Sequence, residues 1–78
     1  MTSILELPPR RARIVERLSL DGRAAQRLRE LGIITGASLT VIRFAPLGDP
    51  VLIFVSGSRI AIRASTAAQI HVLSTRPV

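Results

Sequence analysis

The 78-residue chain contains no cysteine, lysine, tryptophan or tyrosine, and these absences exclude several kinds of site. Without cysteine there is neither a disulfide nor a thiolate metal site, a composition that suits a reducing cytoplasm. Two phenylalanines are the whole aromatic content, so a nucleic-acid surface would lack the aromatic side chains on which bases stack. The core must therefore be built from aliphatic residues.

Long apolar runs are missing as well. The longest is Val51 to Val55, whereas a membrane helix needs about 20 apolar residues. The N-terminal apolar stretch ends at Pro8-Pro9 and is followed by Arg10-Arg11, whereas a signal peptide carries its basic residues in front. We therefore expect a cytoplasmic protein with a single domain.

The residues that carry catalysis or bind metals are few. There is one histidine, His71, and the five carboxylates lie far apart in the sequence, at Glu6, Glu16, Asp21, Glu30 and Asp49. A Ser–His–Asp arrangement or a hard-cation site needs several such groups in one place. No glycine spacing resembles a phosphate-binding loop. We expect no enzyme, no catalytic residue, no cofactor and no resident metal.

The charge is basic but dilute. Eleven arginines against five acids give a net charge of +6, and residues 12–73 carry +4 of it, from eight arginines and four acids. Such a balance can favour nucleic acid, an acidic protein or an anionic membrane. Because no five basic residues cluster, the pattern favours a solvated face, and a small nucleic-acid-binding barrel is kept as the alternative.

The first half of the chain predicts a strand and then a helix. We expect a flexible lead over 1–11, a domain over 12–73 and a tail over 74–78. Residues 12–18 alternate as a strand with Ile14 inward. Residues 19–32 are predicted to be helical, with Asp21 as N-cap and Gly32 as the glycine that ends the helix. The expected apolar face of this helix consists of Ala24, Leu28 and Leu31.

The second half predicts four further strands. After a turn at Thr35-Gly36, strands are predicted over 38–45, 59–63 and 69–73 from their alternation, and over 51–55 from its apolar run. Gly57-Ser58 is predicted as a two-residue hairpin turn, and Ser65 as the cap of one helical turn. Five short strands around an aliphatic core indicate a mainly β protein with one α-helix, folded as a small closed or nearly closed barrel.

A hexapeptide between two of these strands is the strongest candidate site. Its sequence is Ala45-Pro46-Leu47-Gly48-Asp49-Pro50, in which two prolines and a glycine restrict the backbone. Its tip is the apolar Leu47, and Asp49 is expected to brace the turn. If alternate residues of the following strand face the core, Leu52 and Phe54 face outward and extend an apolar patch with Phe44. That patch either docks a partner or lies under the helix.

Several motifs together resemble the FeoA family. They are Arg27-Leu28-Arg29-Glu30-Leu31-Gly32-Ile33, the turn glycine Gly36, the hexapeptide, and Gly57 followed by Ile60-Ala61-Ile62-Arg63. The resemblance spans roughly residues 12–73 and implies an SH3-like β-barrel. FeoA proteins are small cytoplasmic companions of the ferrous-iron transporter FeoB, whose cytosolic part binds GTP. One departure is Thr35, where the family commonly has proline.

The resemblance implies a non-enzymatic accessory protein, peripheral to the inner membrane, that regulates or assembles such a transporter. The expected partner-binding residues are the hexapeptide together with the outward side chains around it: Arg43, Ala45, Pro46, Leu47, Gly48, Asp49, Pro50, Leu52 and Phe54. Similar barrels occur at the C-termini of iron-responsive repressors, so a stand-alone relative of that domain is a further alternative.

Overall fold

The computed structural model describes residues 2–73, which form six strands and two helices. In chain order the elements are β1 (Thr2–Ser3), a 3-10 turn (Ile4–Glu6), β2 (Ala12–Leu18), α1 (Gly22–Glu30), β3 (Ser38–Phe44), β4 (Val51–Val55), β5 (Ser58–Ile62), α2 (Ala64–Ala67) and β6 (Ile70–Val72). All strand pairs are antiparallel, in the order β1-β6-β2-β3-β4-β5. The predicted mainly β fold with one substantial helix is confirmed, with one strand more than expected.

Alternation along the strands builds the core. On β4, Val51, Ile53 and Val55 are fully buried while the residues between them face outward, because successive strand residues point to opposite faces. Strands β2, β3, β5 and β6 and the 3-10 turn add aliphatic side chains to the same cluster, among them Ile4, Leu39, Val41, Ile62, Ile70 and Val72. The core is aliphatic, as the composition predicts.

The N-terminal segment differs from the expected flexible lead. Residues 2–3 pair with β6, placing Thr2 opposite Val72 and Ser3 opposite His71. Ile4 and Leu7 are buried in the core, because the 3-10 turn places residues three apart on the same side. Residues 2–7 are therefore part of the folded structure. The predicted tail over 74–78 lies outside the described residues.

On β2 the inward residue is Val15 and not Ile14. Val15 is fully buried, whereas Ile14 is half-buried. The pairing between β2 and β6 shifts register between Val15 and Arg17, and such an irregularity changes which side chains face inward. The prediction for Ile14 was wrong because alternation alone cannot locate a bulge.

Helix α1 is shorter than predicted and uses a different face. Asp21 occupies the N-cap position, but its side chain makes no capping hydrogen bond. The helix buries Ala25 and Leu28, whereas Ala24 and Leu31 of the predicted stripe are exposed. The two side chains that α1 places in the core are thus spaced i, i+3, whereas two of the three residues of the predicted i, i+4, i+7 stripe stay exposed.

The end of α1 agrees with the prediction. Gly32 has a φ of +94°, a left-handed conformation that favours glycine. Its N–H donates to Arg29 O at 3.0 Å, and the N–H of Ile33 donates to Leu28 O at 3.0 Å. This pair of bonds is the Schellman motif, which satisfies carbonyls left open at a helix terminus.

The turn between β4 and β5 lies one residue earlier than predicted. Val55 pairs with Ser58, so the two central residues are Ser56 and Gly57, with φ values of +52° and +80°. Positive φ at both positions defines a type I′ turn. The predicted turn at Gly57-Ser58 was therefore wrong, although the hairpin itself is confirmed.

Candidate docking surface

The loop between β3 and β4 is a tight, hydrogen-bonded structure. The N–H of Gly48 donates to Ala45 O at 2.7 Å and closes a four-residue turn with Pro46 and Leu47 at its centre. The N–H of Ala45 donates to Pro50 O at 3.0 Å and closes the base of the loop. Proline followed by a residue with positive φ is typical of a type II turn. The hexapeptide is thus a shaped loop, as predicted.

Leu47 occupies the position in this turn that ordinarily belongs to glycine. Its φ is +89°, a conformation that costs a non-glycine residue about 1–2 kcal/mol. Its relative exposure is 104%, so the side chain contacts almost nothing in the rest of the domain. The loop therefore presents an apolar side chain to solvent at the expense of local backbone strain.

Asp49 ties the loop to α2. Its Oδ1 accepts a hydrogen bond from the N–H of Ala64, the first residue of α2, at 2.9 Å. A helix leaves its first N–H groups without partners, and an acceptor from elsewhere in the chain can satisfy one of them. Ser65 was predicted to cap this turn; the cap position is instead occupied by Arg63, without a side-chain bond. Asp49 acts structurally here, as a brace.

The outer face of β4 continues the surface away from the loop. Leu52 is half-buried and Phe54 is 44% exposed, so α1 does not cover this face. In the antiparallel register Leu52 lies opposite Arg43 and Phe54 lies opposite Arg59. Each of these apolar residues therefore has an arginine as its register partner on a neighbouring strand.

The structure brings most of the predicted docking residues into one strip. Leu52 is the second residue after the loop, and Phe54, four residues after Pro50, lies about 13 Å from the base of the loop, at about 3.3 Å per strand residue. Phe44, which was expected to join the patch, packs instead against the core. The strip consists of the exposed loop, Arg43, Leu52 and Phe54.

The single histidine makes a local contact. His71 is half-buried on β6, and its Nε2 is hydrogen-bonded to the hydroxyl of Ser19. Across residues 2–73, no three His, Asp or Glu side chains lie together where they could hold a metal ion. In the same part of the chain, no helix is long and apolar enough to cross a membrane.

Sequence reasoning missed a groove between α1 and β5. This groove has a volume of about 380 Å³ and is lined by Ala24, Arg27, Leu28, Leu31, Ile60, Ala61, Ile62, Arg63 and Thr66. The signal was present in the sequence, because the predicted apolar stripe of α1 is longer than the core can accommodate.

Comparison with known proteins gives one family and one fold. The model of the FeoA domain matches residues 2–73. The solution structure of iron(II) transport protein A from Clostridium thermocellum is 27% identical with a TM-score of 0.86, over 91% of this chain. This chain spans only 44% of the length of that protein. A search of curated proteins finds no significant match.

Two further structures extend the comparison. FeoA of Stenotrophomonas maltophilia, complexed with zinc, is 32% identical with a TM-score of 0.80, over 95% of this chain and 92% of that one. It is described as a procaryotic SH3 domain protein and a candidate activating factor for bacterial ferrous iron transport. IdeR of T. acidophilum is 24% identical with a TM-score of 0.79, over 91% of this chain and 32% of that one. At that identity the likeness shows the fold alone.

Proposed function

The chain belongs to the FeoA family, and from this premise we propose that it is a non-enzymatic accessory protein of bacterial ferrous iron transport. It docks on the cytosolic, GTP-binding part of a FeoB-type transporter and regulates or assembles it. In this proposal the protein is cytoplasmic and reaches the membrane only through that partner.

The conformation of Leu47 is the observation that carries the docking proposal. An apolar side chain with 104% relative exposure, held at a φ of +89°, adds nothing to the stability of the isolated domain. Full burial of a leucine side chain against a partner contributes about 1.5–3 kcal/mol. Leu47 thus costs the free protein conformational energy and would contribute binding free energy when buried, and this combination supports a role at an interface.

The surroundings of Leu47 support the same role. Leu52 and Phe54 extend the apolar strip, and Arg43 gives its edge a positive charge. Interfaces typically combine an apolar centre with a polar rim, and arginine is enriched in them. The loop residues Ala45, Pro46, Gly48, Asp49 and Pro50 form the rigid frame that presents Leu47.

Two substitutions test the docking surface. We expect Leu47→Ser and Phe54→Ser each to abolish co-purification with the full-length FeoB-type transporter of the same organism, with circular dichroism spectra unchanged. Ile34→Ser is the matched control, because Ile34 is 47% exposed and lies outside the strip. Co-purification that persists in both strip variants would refute this surface, as would equal loss in the control.

A cluster of arginines near the start of β2 favours the nucleic-acid alternative. Arg10, Arg11 and Arg13 surround a shallow pocket of about 320 Å³. If they contact phosphates, fluorescence anisotropy should show binding to labelled RNA or DNA that weakens steeply between two salt concentrations, because counterions are released. Absence of binding at low salt ends that alternative.

A further inference from the structure

Helix α1 carries more apolar surface than the fold uses. Ala24, Leu28 and Leu31 recur at i, i+4 and i+7, yet only Leu28 is buried. Leu31 is 39% exposed and lines the groove together with Ala24. The unused part of the stripe therefore forms one wall of the groove between α1 and β5.

The opposite wall is a strand with an open edge. Within residues 2–73, β5 pairs with β4 and with no other strand. Because Val55 and Ser58 flank a two-residue turn, they form a hydrogen-bonded pair, and such pairs alternate along the hairpin. Ile60 therefore bonds to β4, while the N–H and C=O groups of Arg59 and Ala61 point towards the open edge.

The arginines around the groove favour a negatively charged ligand. Arg27 of α1 and Arg63 at the end of β5 line it, and Arg59 lies on the open strand. If a second copy of the chain paired antiparallel about Ala61, Arg59 of each copy would lie opposite Arg63 of the other, and like charges directly opposite are destabilising. An acidic segment would instead meet complementary charge.

We propose that the groove between α1 and β5 binds an extended acidic peptide segment of a partner protein, which pairs with the open edge of β5. Alternate apolar side chains of the peptide contact Leu31 and Ile60 on the face towards α1, and its carboxylates, on the opposite face, lie beside Arg59 and Arg63. The five residues of β5 span about 16 Å at about 3.3 Å per residue, so the peptide core is about five residues long. This mode adds a strand to a sheet edge and does not rest on the docking loop.

A titration followed by NMR tests the proposal. The probe is a capped hexapeptide of alternating glutamate and valine, added to the ¹⁵N-labelled full chain at low salt. We expect saturable shifts of the amides around the groove and slower hydrogen exchange at Arg59 and Ala61, whose N–H groups become bonded. Higher salt should weaken binding, and a lysine–valine peptide should not bind.

Ala61→Pro tests the strand pairing directly. It removes an N–H that points away from β4, so the hairpin ladder stays intact, and proline is tolerated on sheet edges. We expect about tenfold weaker peptide binding, since the lost bond leaves a carbonyl of the peptide unpaired. Ala61→Val is the matched control, which keeps the N–H and should bind within about twofold of the wild type.

Four results would overturn the proposal. The first two are the absence of a saturable chemical-shift change at millimolar peptide and an equal affinity for the lysine–valine peptide. The third is undiminished peptide binding by a folded Ala61→Pro variant. The fourth is a change in the groove amide shifts that depends on the concentration of the protein alone. The last would assign the groove to a second copy of the chain. Leu47→Ser should leave peptide binding unchanged, so failure here is distinguishable from failure of the transporter docking.

Discussion

The contact between the end of α1 and the β4–β5 turn gives the sharpest prediction for stability. Gly32 has a φ of +94°, and a Cβ added to it would overlap Ser56 Oγ and lie 2.7 Å from Ser56 Cβ. The hydroxyl of Ser56 also donates to Gly32 O at 3.4 Å. Gly32→Ala therefore combines an unfavourable backbone conformation with a steric overlap.

The two contributions can be separated in magnitude. The left-handed conformation costs alanine about 1–2 kcal/mol. Relieving the overlap moves Ser56, which belongs to a tight turn, and comparable overpacking costs about 1–3 kcal/mol. A domain of this size has about 3–5 kcal/mol of stability. We therefore expect Gly32→Ala to remove most of the free energy of unfolding.

A double-mutant cycle with Ser56→Gly isolates the overlap. Ser56→Gly deletes both atoms that the new Cβ would meet and suits the φ of +52° at that position. In that background Gly32→Ala should cost only the backbone contribution, about 1–2 kcal/mol. Urea unfolding followed by circular dichroism measures all four proteins. An equal cost of Gly32→Ala in both backgrounds would refute the close approach of the two segments.

Five further substitutions, at four positions, have expected outcomes by the same urea assay. Asp49→Ala should lower the free energy of unfolding by about 1 kcal/mol, and Asp49→Asn by less, because asparagine retains an acceptor for Ala64. Ile53→Ala, in a fully buried position, should cost about 2–5 kcal/mol and leave little folded protein. Thr35→Pro restricts the unfolded chain, worth about 0.5 kcal/mol, but deletes the hydroxyl that donates to Glu16 O at 3.3 Å, worth about 0.5–1.5 kcal/mol, so we expect a net loss of up to about 1 kcal/mol. Leu47→Gly relieves backbone strain of about 1–2 kcal/mol but gives the unfolded chain more freedom, which costs about 0.5–1 kcal/mol. Stability should therefore rise by about 0.5–1 kcal/mol while transporter binding is lost; lower stability would contradict the strain.

The strands and the helix end were predictable because their signals are local. The apolar run over 51–55 indicates a strand, whose successive side chains must face opposite sides, and a glycine after an apolar helical pattern marks the C-terminus of the helix. The shape of the loop at 45–50 followed from its prolines and glycine in the same way. These features depend on neighbouring residues, which the sequence contains.

The predictions that were wrong concern contacts between segments far apart in the sequence. Ile4 and Leu7 enter the core because β1 pairs with β6, almost 70 residues away in the chain. The bulge that turns Val15 inward depends on how β2 meets β6. Which residues of α1 are buried depends on the angle at which the sheet meets the helix, and periodicity does not report that angle.

The docking strip and the groove are held in a fixed relation by β4, β5 and α2. Ala61 of β5 lines the groove and lies opposite Leu52 of the strip. On the other side, Asp49 of the loop bonds to Ala64, while Thr66 of α2 lines the groove. A domain of this size has a small free energy of unfolding, so a rearrangement on binding would cost much of it. Because one hairpin and one short helix already fix both surfaces, a partner can contact both without a conformational change.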